Sequence, residues 1–326
     1  MAILLVVVAG VVYQLVGGFR SGRRWPPPGR MITANGHRLH VLCQGRGSPT
    51  VVFESGIAAS SLSWSLIQPE VSRFTRSCAY DRAGLGWSES ARGKRTAAEM
   101  VDDLRVVLQS AGPPPYVLVG HSFGTFLVCA FAAEHPARVA ALVLLDPPTE
   151  WNAMSRQQSR LLWGGIQLSR LGALLARLGI VRACLVCLSG GAPAVPRTFV
   201  RAFGTRAAHT LTRLVGEVRK LPPQVQPVVQ ALWCQPKCFE SMASHLAALP
   251  DTGALIDRIT TLPDVPLVIV SAGDHSAKTL EQHERLARLS PGGRHVIAAA
   301  SNHWVQFDEP ELVITTIREA VDQARK

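Results

Sequence analysis

The sequence predicts an α/β fold: a mostly parallel, doubly wound sheet with helices on both faces and a helical segment inserted into it. Three observations carry this. Short apolar, β-branched runs alternate with helical periodicity from about residue 31 to 147, the pattern of βαβ units. One of those runs, Tyr116-Val117-Leu118-Val119, leads directly into Gly120-His121-Ser122-Phe123-Gly124 and then into a helical stretch. The alternation lapses between about Pro148 and Leu262 and resumes at Pro266.

Composition allows such a fold. The chain has 326 residues, 47% of them apolar and 17% charged. That suffices for one large domain with an insertion or for two ordinary domains, and it does not read as disorder. The net charge is +11, from 34 basic and 23 acidic residues. The positive charges are spread along the chain, with one cluster at Arg20, Arg23, Arg24 and Arg30. No long basic helix, zinc-finger spacing or aromatic ribonucleoprotein signature accompanies them, so no nucleic-acid partner is expected. Seven cysteines, an odd count in a long chain, do not resemble a secreted disulfide scaffold. Cys184/Cys187 and Cys234/Cys238 have spacings that could hold zinc. Leu185, Val186 and Leu188 make the first pair look like an apolar helix face instead. Free thiols, disulfides and a metal site all stay open for these four.

Residues 1–19 form a hydrophobic segment, uncharged from Ala2 to Phe19 and at the lower edge of bilayer-spanning length. A basic, Pro-rich linker over 20–30 follows. With no basic start and no small-residue cleavage site, the segment reads as an uncleaved membrane anchor; a cleaved secretion signal and a buried N-terminus are the alternatives. The arginines on its C-terminal side place the catalytic domain in the cytoplasm by the positive-inside tendency.

The elements then follow in order. Met31 to Gly45, with alternation at Arg38-Leu39-His40-Val41-Leu42, is a strand entering the domain. Pro49 to Gly56 is a short apolar, β-branched strand ending in a glycine turn, and Ser77 to Arg82 is another short strand, followed by a Gly84/Gly86 turn. Thr96 to Ala111 is a helix, with Thr96 and Glu99 forming a capping box and Gly112-Pro113 stopping it. The strand at 116–119, a helix from Phe123 to Glu134 and a strand from Val139 to Leu145 complete the first part of the core, 31–147. Over 148–262 only helical stripes recur, such as Leu161, Leu162, Leu168, Leu171, Leu174, Leu175 and Leu178. Their spacing predicts a helical cap whose apolar stripes pack against each other. The core resumes over 263–326, with a strand at 266–270, a helix from about Thr279 to Leu289, a strand from Arg294 to Ala299 and a closing helix from Glu309 to Ala324.

The chemistry lies at the ends of these strands. Gly-x-Ser-x-Gly between a strand and a helix is the setting of a nucleophile elbow, which lifts the serine oxygen above the sheet. A serine hydroxyl needs a base to take its proton. His303, just after the last strand, is the candidate, and His295, inside that strand, is the poorer one. An acid must orient the base. Asp274, in the Gly273-Asp274 turn after the strand at 266–270, is favoured. Asp146, after the strand at 139–145, is the alternative. Backbone N–H groups of Phe123 and Ile57 are the candidate oxyanion donors. No metal at this site and no cofactor is expected.

Four passages together resemble the α/β-hydrolase superfamily, in its group of capped, serine esterase-like members. They are Phe53-Glu54-Ser55-Gly56, the run from Tyr80-Asp81-Arg82-Ala83-Gly84 to Ser88, Gly120 to Gly124, and Gly273-Asp274 with His303. The resemblance covers residues 31–326. It implies an α/β-hydrolase fold, hydrolysis of an ester, thioester or amide without a metal, and a helical lid. Relatives commonly have His-Gly where this chain has Ser55-Gly56.

A carboxylic-ester hydrolase acting on a small or lipid-like ester through an acyl-enzyme is the leading expectation. Dehalogenases and epoxide hydrolases of this fold use a carboxylate nucleophile, and Ser122 argues against both. An acyl-thioester or lipid hydrolase at a membrane surface, held by residues 1–19, is the first alternative. A non-catalytic binding protein that kept the fold is the second. Substrate identity and oligomeric state are not legible.

Overall fold

A computed structural model describes residues 1–93, 95–149, 156–189, 216–256 and 258–326. Eight strands form one sheet: β1 (Arg30–Ala34), β2 (His37–Gln44), β3 (Thr50–Glu54), β4 (Ser77–Tyr80), β5 (Tyr116–His121), β6 (Val139–Leu145), β7 (Leu267–Ala272) and β8 (Gly293–Ala298). Their order is β1-β2-β4-β3-β5-β6-β7-β8. The pairs β1–β2 and β2–β4 are antiparallel, and every other pair is parallel. The fold is thus the α/β-hydrolase fold the motifs implied.

The single strand expected from Met31 to Gly45 is instead a hairpin. Asn35 and Gly36 both adopt positive φ, 47° and 82°, the requirement of a type I′ turn. The Asn-Gly pair was the signal for it.

Both sheet faces are covered, because the inner strands bury every side chain. Val52, Leu118, Leu142 and Ile269 enter one core, with Leu104 and Leu108 of α3 (Ala97–Ala111) and Leu127 and Phe131 of α4 (Phe123–Glu134). Val51, Phe53, Val119, Val143 and Val268 alternate into the opposite core, with Trp64 and with Val313, Ile317 and Val321 of the closing helix Pro310–Ala324. Thr96 caps α3 through the expected reciprocal box with Glu99.

Between β6 and β7 the described residues hold only helices. In chain order after α4 these are α5 (Arg156–Arg177), α6 (Ile180–Ser189), α7 (Gln226–Trp233) and α8 (Pro236–Ile256). Residues 150–155, 190–215 and 257 of the expected cap lie outside the described residues. The leucine stripe does not pack as expected. Leu161, Leu168, Leu171 and Leu174 are exposed, whereas Ser169, Ala173 and Ala176 are buried. The small face lets α5 approach α8 closely: a Cβ on Gly172 would lie 2.5 Å from the Phe239 ring.

The N-terminal helix α1 spans Ala2–Arg24, so it runs through three arginines assigned to the linker. Arginine is a good helix former, and its charge suits a helix C-terminus; Pro26 follows the end. One face of α1 docks on the insertion. Gln14 Nε2 donates to the Cys234 carbonyl at 2.9 Å, and Arg182 donates to Gln14 Oε1 at 3.0 Å and to Ser21 Oγ at 3.1 Å. The other face exposes Leu4, Leu5, Val6, Val12, Leu15 and Phe19.

Candidate active site

The carboxyl ends of β3, β5, β6 and β7 meet in one place, where parallel sheets hold their ligands. Ser122 follows β5 and opens α4. Its backbone stands at φ 50°, ψ −124°, a region a side chain resists and one that marks a strained functional turn. Neighbours hold it there. Its N–H donates to the Leu145 carbonyl at 2.9 Å, and its carbonyl accepts the Thr125 N–H at 2.9 Å. The flanking glycines have no room for a side chain. A Cβ on Gly124 would lie 2.4 Å from the Glu54 carbonyl oxygen, and one on Gly120 would lie 2.8 Å from Thr125 Cα.

His303 follows β8 and reaches the same place. Its Nδ1 lies 2.6 Å from Asp146 Oδ2. Asp146 ends β6 at φ 47°, and its N–H is tied to the Val270 carbonyl at 2.7 Å. The favoured acid, Asp274, is therefore not the partner of His303; it is exposed. The alternative, Asp146, takes that place, because β6 and β7 are adjacent parallel strands whose ends both face the last loop. Its neighbour His275 turns inward where Asp274 turns out: His275 Nε2 lies 2.5 Å from Asp146 Oδ1. The Ala272 N–H donates to the same oxygen at 3.1 Å. Sequence reading passed over His275, though Gly-Asp-His at a strand end offered two candidates side by side.

Burial disfavours the Asp146 charge, but the hydrogen bond and charge of His303, the Ala272 N–H and the His275 bond outweigh it and hold the carboxyl at about 2. It is thus a permanent anion beside the imidazole near neutral pH. His121, behind the site, is held neutral. Burial and the neighbouring His303 push it down to about 3, and its Nε2 donates to the His303 carbonyl at 2.8 Å. Asp146, His275 and His283 could in principle gather a metal ion. Their donor atoms are used otherwise, since His275 bonds Asp146 and His283 bonds the Pro147 carbonyl at 2.7 Å and Ser271 at 2.5 Å. His295, the poorer base candidate, belongs to this buried network through Ser271 at 2.6 Å.

Ser122 and His303 open on one cavity of about 250 Å³, lined also by Ile57, Phe123, Asp146, Pro147, Leu249 and His275. Ile57 and Phe123, the residues expected to supply oxyanion donors, thus line the same cavity as Ser122. The Ser55 side chain, at the usual histidine position, faces away into the loop behind: its oxygen accepts the Trp64 indole N–H at 2.9 Å. In the Asp-Arg-Ala-Gly-Leu-Gly passage, Asp81 and Gly86 shape the loop. Buried Asp81 accepts the N–H groups of Ser61 at 2.6 Å and Trp87 at 3.0 Å, and a Cβ on Gly86 would strike its carboxylate. Of the cysteines, Cys43 and Cys78 form a disulfide across β2 and β4, a pairing the odd count did not suggest. Cys184 and Cys187 lie on α6, while Cys234 and Cys238 are buried; all four are free thiols.

Residues 49–179 match the family described as alpha/beta hydrolase fold. The uncharacterized protein YqjL of Bacillus subtilis is 36% identical over 36% of this chain and 47% of its own length. The 2-hydroxy-6-oxo-2,4-heptadienoate hydrolase of Pseudomonas putida is 35% identical over 36% of this chain and 44% of its own. Both matches span less than half of the relative. The enol-lactonase of Burkholderia xenovorans LB400 superposes with a TM-score of 0.64 over 90% of this chain and all of its own, at 19% identity, a likeness of fold. Residues 49–179 thus match the alpha/beta hydrolase family, and the chain as a whole shares the α/β-hydrolase fold.

Proposed function

We propose that the protein is a serine hydrolase that cleaves a carboxylic ester through an acyl-enzyme. The observation that carries this reading is the shared cavity: Ser122, lifted at a strained elbow, opens beside His303, whose Nδ1 is engaged by a buried, ionised Asp146. Asp146 holds the proton on Nδ1 and leaves Nε2 as the base. As Ser122 Oγ attacks the ester carbonyl, Nε2 takes its proton, and the carbonyl oxygen gains a negative charge beside the Ile57 and Phe123 N–H groups. Collapse of the tetrahedral intermediate breaks the ester bond, and imidazolium returns the proton to the leaving alcohol. Water, deprotonated by the same nitrogen, then releases the acid. The cavity, about 250 Å³ with Pro147 and Leu249 in its wall, suits a small or medium apolar acyl group. The described helices between β6 and β7, which bring Leu249 to the cavity wall, act as its cap.

A p-nitrophenyl ester chain-length series, run on wild type and Ser122→Ala, tests this. Turnover that vanishes in Ser122→Ala, with fluorophosphonate labelling of Ser122, supports it. Wild type that neither turns over nor labels favours a binding protein.

A membrane-surface reading, with a lipid ester or acyl thioester as substrate, has its own support in α1. Leu4–Arg24 has mean hydropathy 1.7 and is only 6% buried. The Cys43–Cys78 disulfide favours an oxidising compartment for the domain, opposite to the cytoplasmic placement suggested by the arginines. Equal activity on ester substrate free in solution and in anionic vesicles would count against this reading.

A further inference from the structure

Beneath the Ser55-Gly56-Ile57 turn lies a buried cation with no counterpart in the mechanism above. Arg82 is 2% exposed. Its Nη1 donates to Glu54 Oε1 and to the Ser55 carbonyl, and its Nη2 donates to the Gly56 carbonyl. The Phe123 ring packs against the same guanidinium, its centroid 5.4 Å from Cζ. One side chain therefore touches both arms of the proposed oxyanion site.

The peptide geometry gives this grip a direction. In a trans peptide the C=O and the following N–H point opposite ways. With the Gly56 oxygen drawn to Arg82, the Ile57 N–H points away from Arg82. Ile57 itself borders the cavity that Ser122 and Phe123 share. The turn is not relaxed on its own. Ala59 N–H closes it onto the Gly56 carbonyl at 3.3 Å, with Ala58 at φ 60°, a conformation that disfavours a side chain. Two charge-assisted hydrogen bonds to consecutive carbonyls hold what the local sequence would not.

We infer that Arg82 is a positioning residue for the oxyanion site: it aims the Ile57 N–H at the developing charge and steadies Phe123 from behind. The inference rests on the serine-hydrolase reading. A fork that holds two carbonyls is not replaced by a lysine, whose ammonium is a single point donor.

The test uses the full chain with Arg82→Lys and Arg82→Gln in parallel, each checked for a cooperative melt, and p-nitrophenyl butyrate as substrate. The expected result is a KM within about threefold of wild type and a kcat lower by about 100-fold, the scale of one lost oxyanion donor. Affinity for a trifluoromethyl ketone, which forms a tetrahedral adduct on Ser122, falls by the same factor. Glu54→Gln removes the ion pair but leaves both carbonyls gripped, so it lowers Tm with kcat within about fivefold. Folded Arg82 variants that keep kcat and inhibitor affinity overturn the inference. So does a kcat loss in Glu54→Gln as deep as in Arg82→Lys, which would make general loosening the cause. Wild type without turnover defeats the serine-hydrolase reading itself, and this inference with it.

Discussion

His303 and Asp146, 157 residues apart in the chain, meet with Nδ1 and Oδ2 at 2.6 Å. The carboxylate sits at the end of β6, one strand from the β5 that Ser122 follows, and the N–H of Ser122 is tied to Leu145, the residue before Asp146. Ser122, Asp146 and His303 are thus mechanically joined: a shift of β6 would move Ser122 and Asp146 together.

The buried His121 makes stability depend on pH. Its folded pKa is about 3, against roughly 6.5 unfolded. Between these values the unfolded chain binds a proton that the folded chain refuses. The contribution is therefore complete above about pH 6.5 and falls as pH drops toward 3. His121→Asn, which keeps a donor for the His303 carbonyl, removes this titration. Urea melts at pH 7 and pH 5 are expected to show wild type losing about 2 kcal/mol more than the variant. Asp146 adds a second loss only at lower pH, as acidification protonates a carboxylate held at about 2.

Gly124 fits where nothing larger would. An added methyl would meet two backbone oxygens, of Glu54 at 2.4 Å and Ser55 at 2.7 Å, and backbone cannot swing aside. Gly124→Ala is expected to cost about 3 kcal/mol and to abolish fluorophosphonate labelling of Ser122. Thermal denaturation and gel fluorescence check both.

Thiol titration under denaturing, non-reducing conditions is expected to count five free cysteines, and seven after reduction. Seven before reduction would remove the Cys43–Cys78 bond, and with it the case for an oxidising compartment.

What the sequence revealed depends on how local the cause was. The helix Phe123–Glu134 and the strand Val139–Leu145 have the expected bounds, because a glycine turn and unbroken apolar runs fix them within a few residues. That Ser122 and His303 lie together at strand ends was legible from the strand pattern. The choice between Asp146 and Asp274 was not. It depends on which of two neighbouring loops turns inward, and that is settled by His275 and the Ala272 N–H bonding across strands. The Cys43–Cys78 bond needed the β2–β4 register, invisible at a separation of 35 residues. The leucines of α5 misled because periodicity reports a helix face without saying whether that face or the small-residue face meets a neighbour.

The central claim is that Ser122 works with His303 and Asp146, and it is tested most directly by kcat on p-nitrophenyl butyrate for Asp146→Asn and Asp274→Asn. An amide at 146 would stabilise the wrong imidazole tautomer, so Asp146→Asn is expected to lose about 10⁴-fold, while Asp274→Asn stays within about threefold of wild type, as exposed substitutions usually do. The reverse pattern, or two unimpaired variants, would contradict the account.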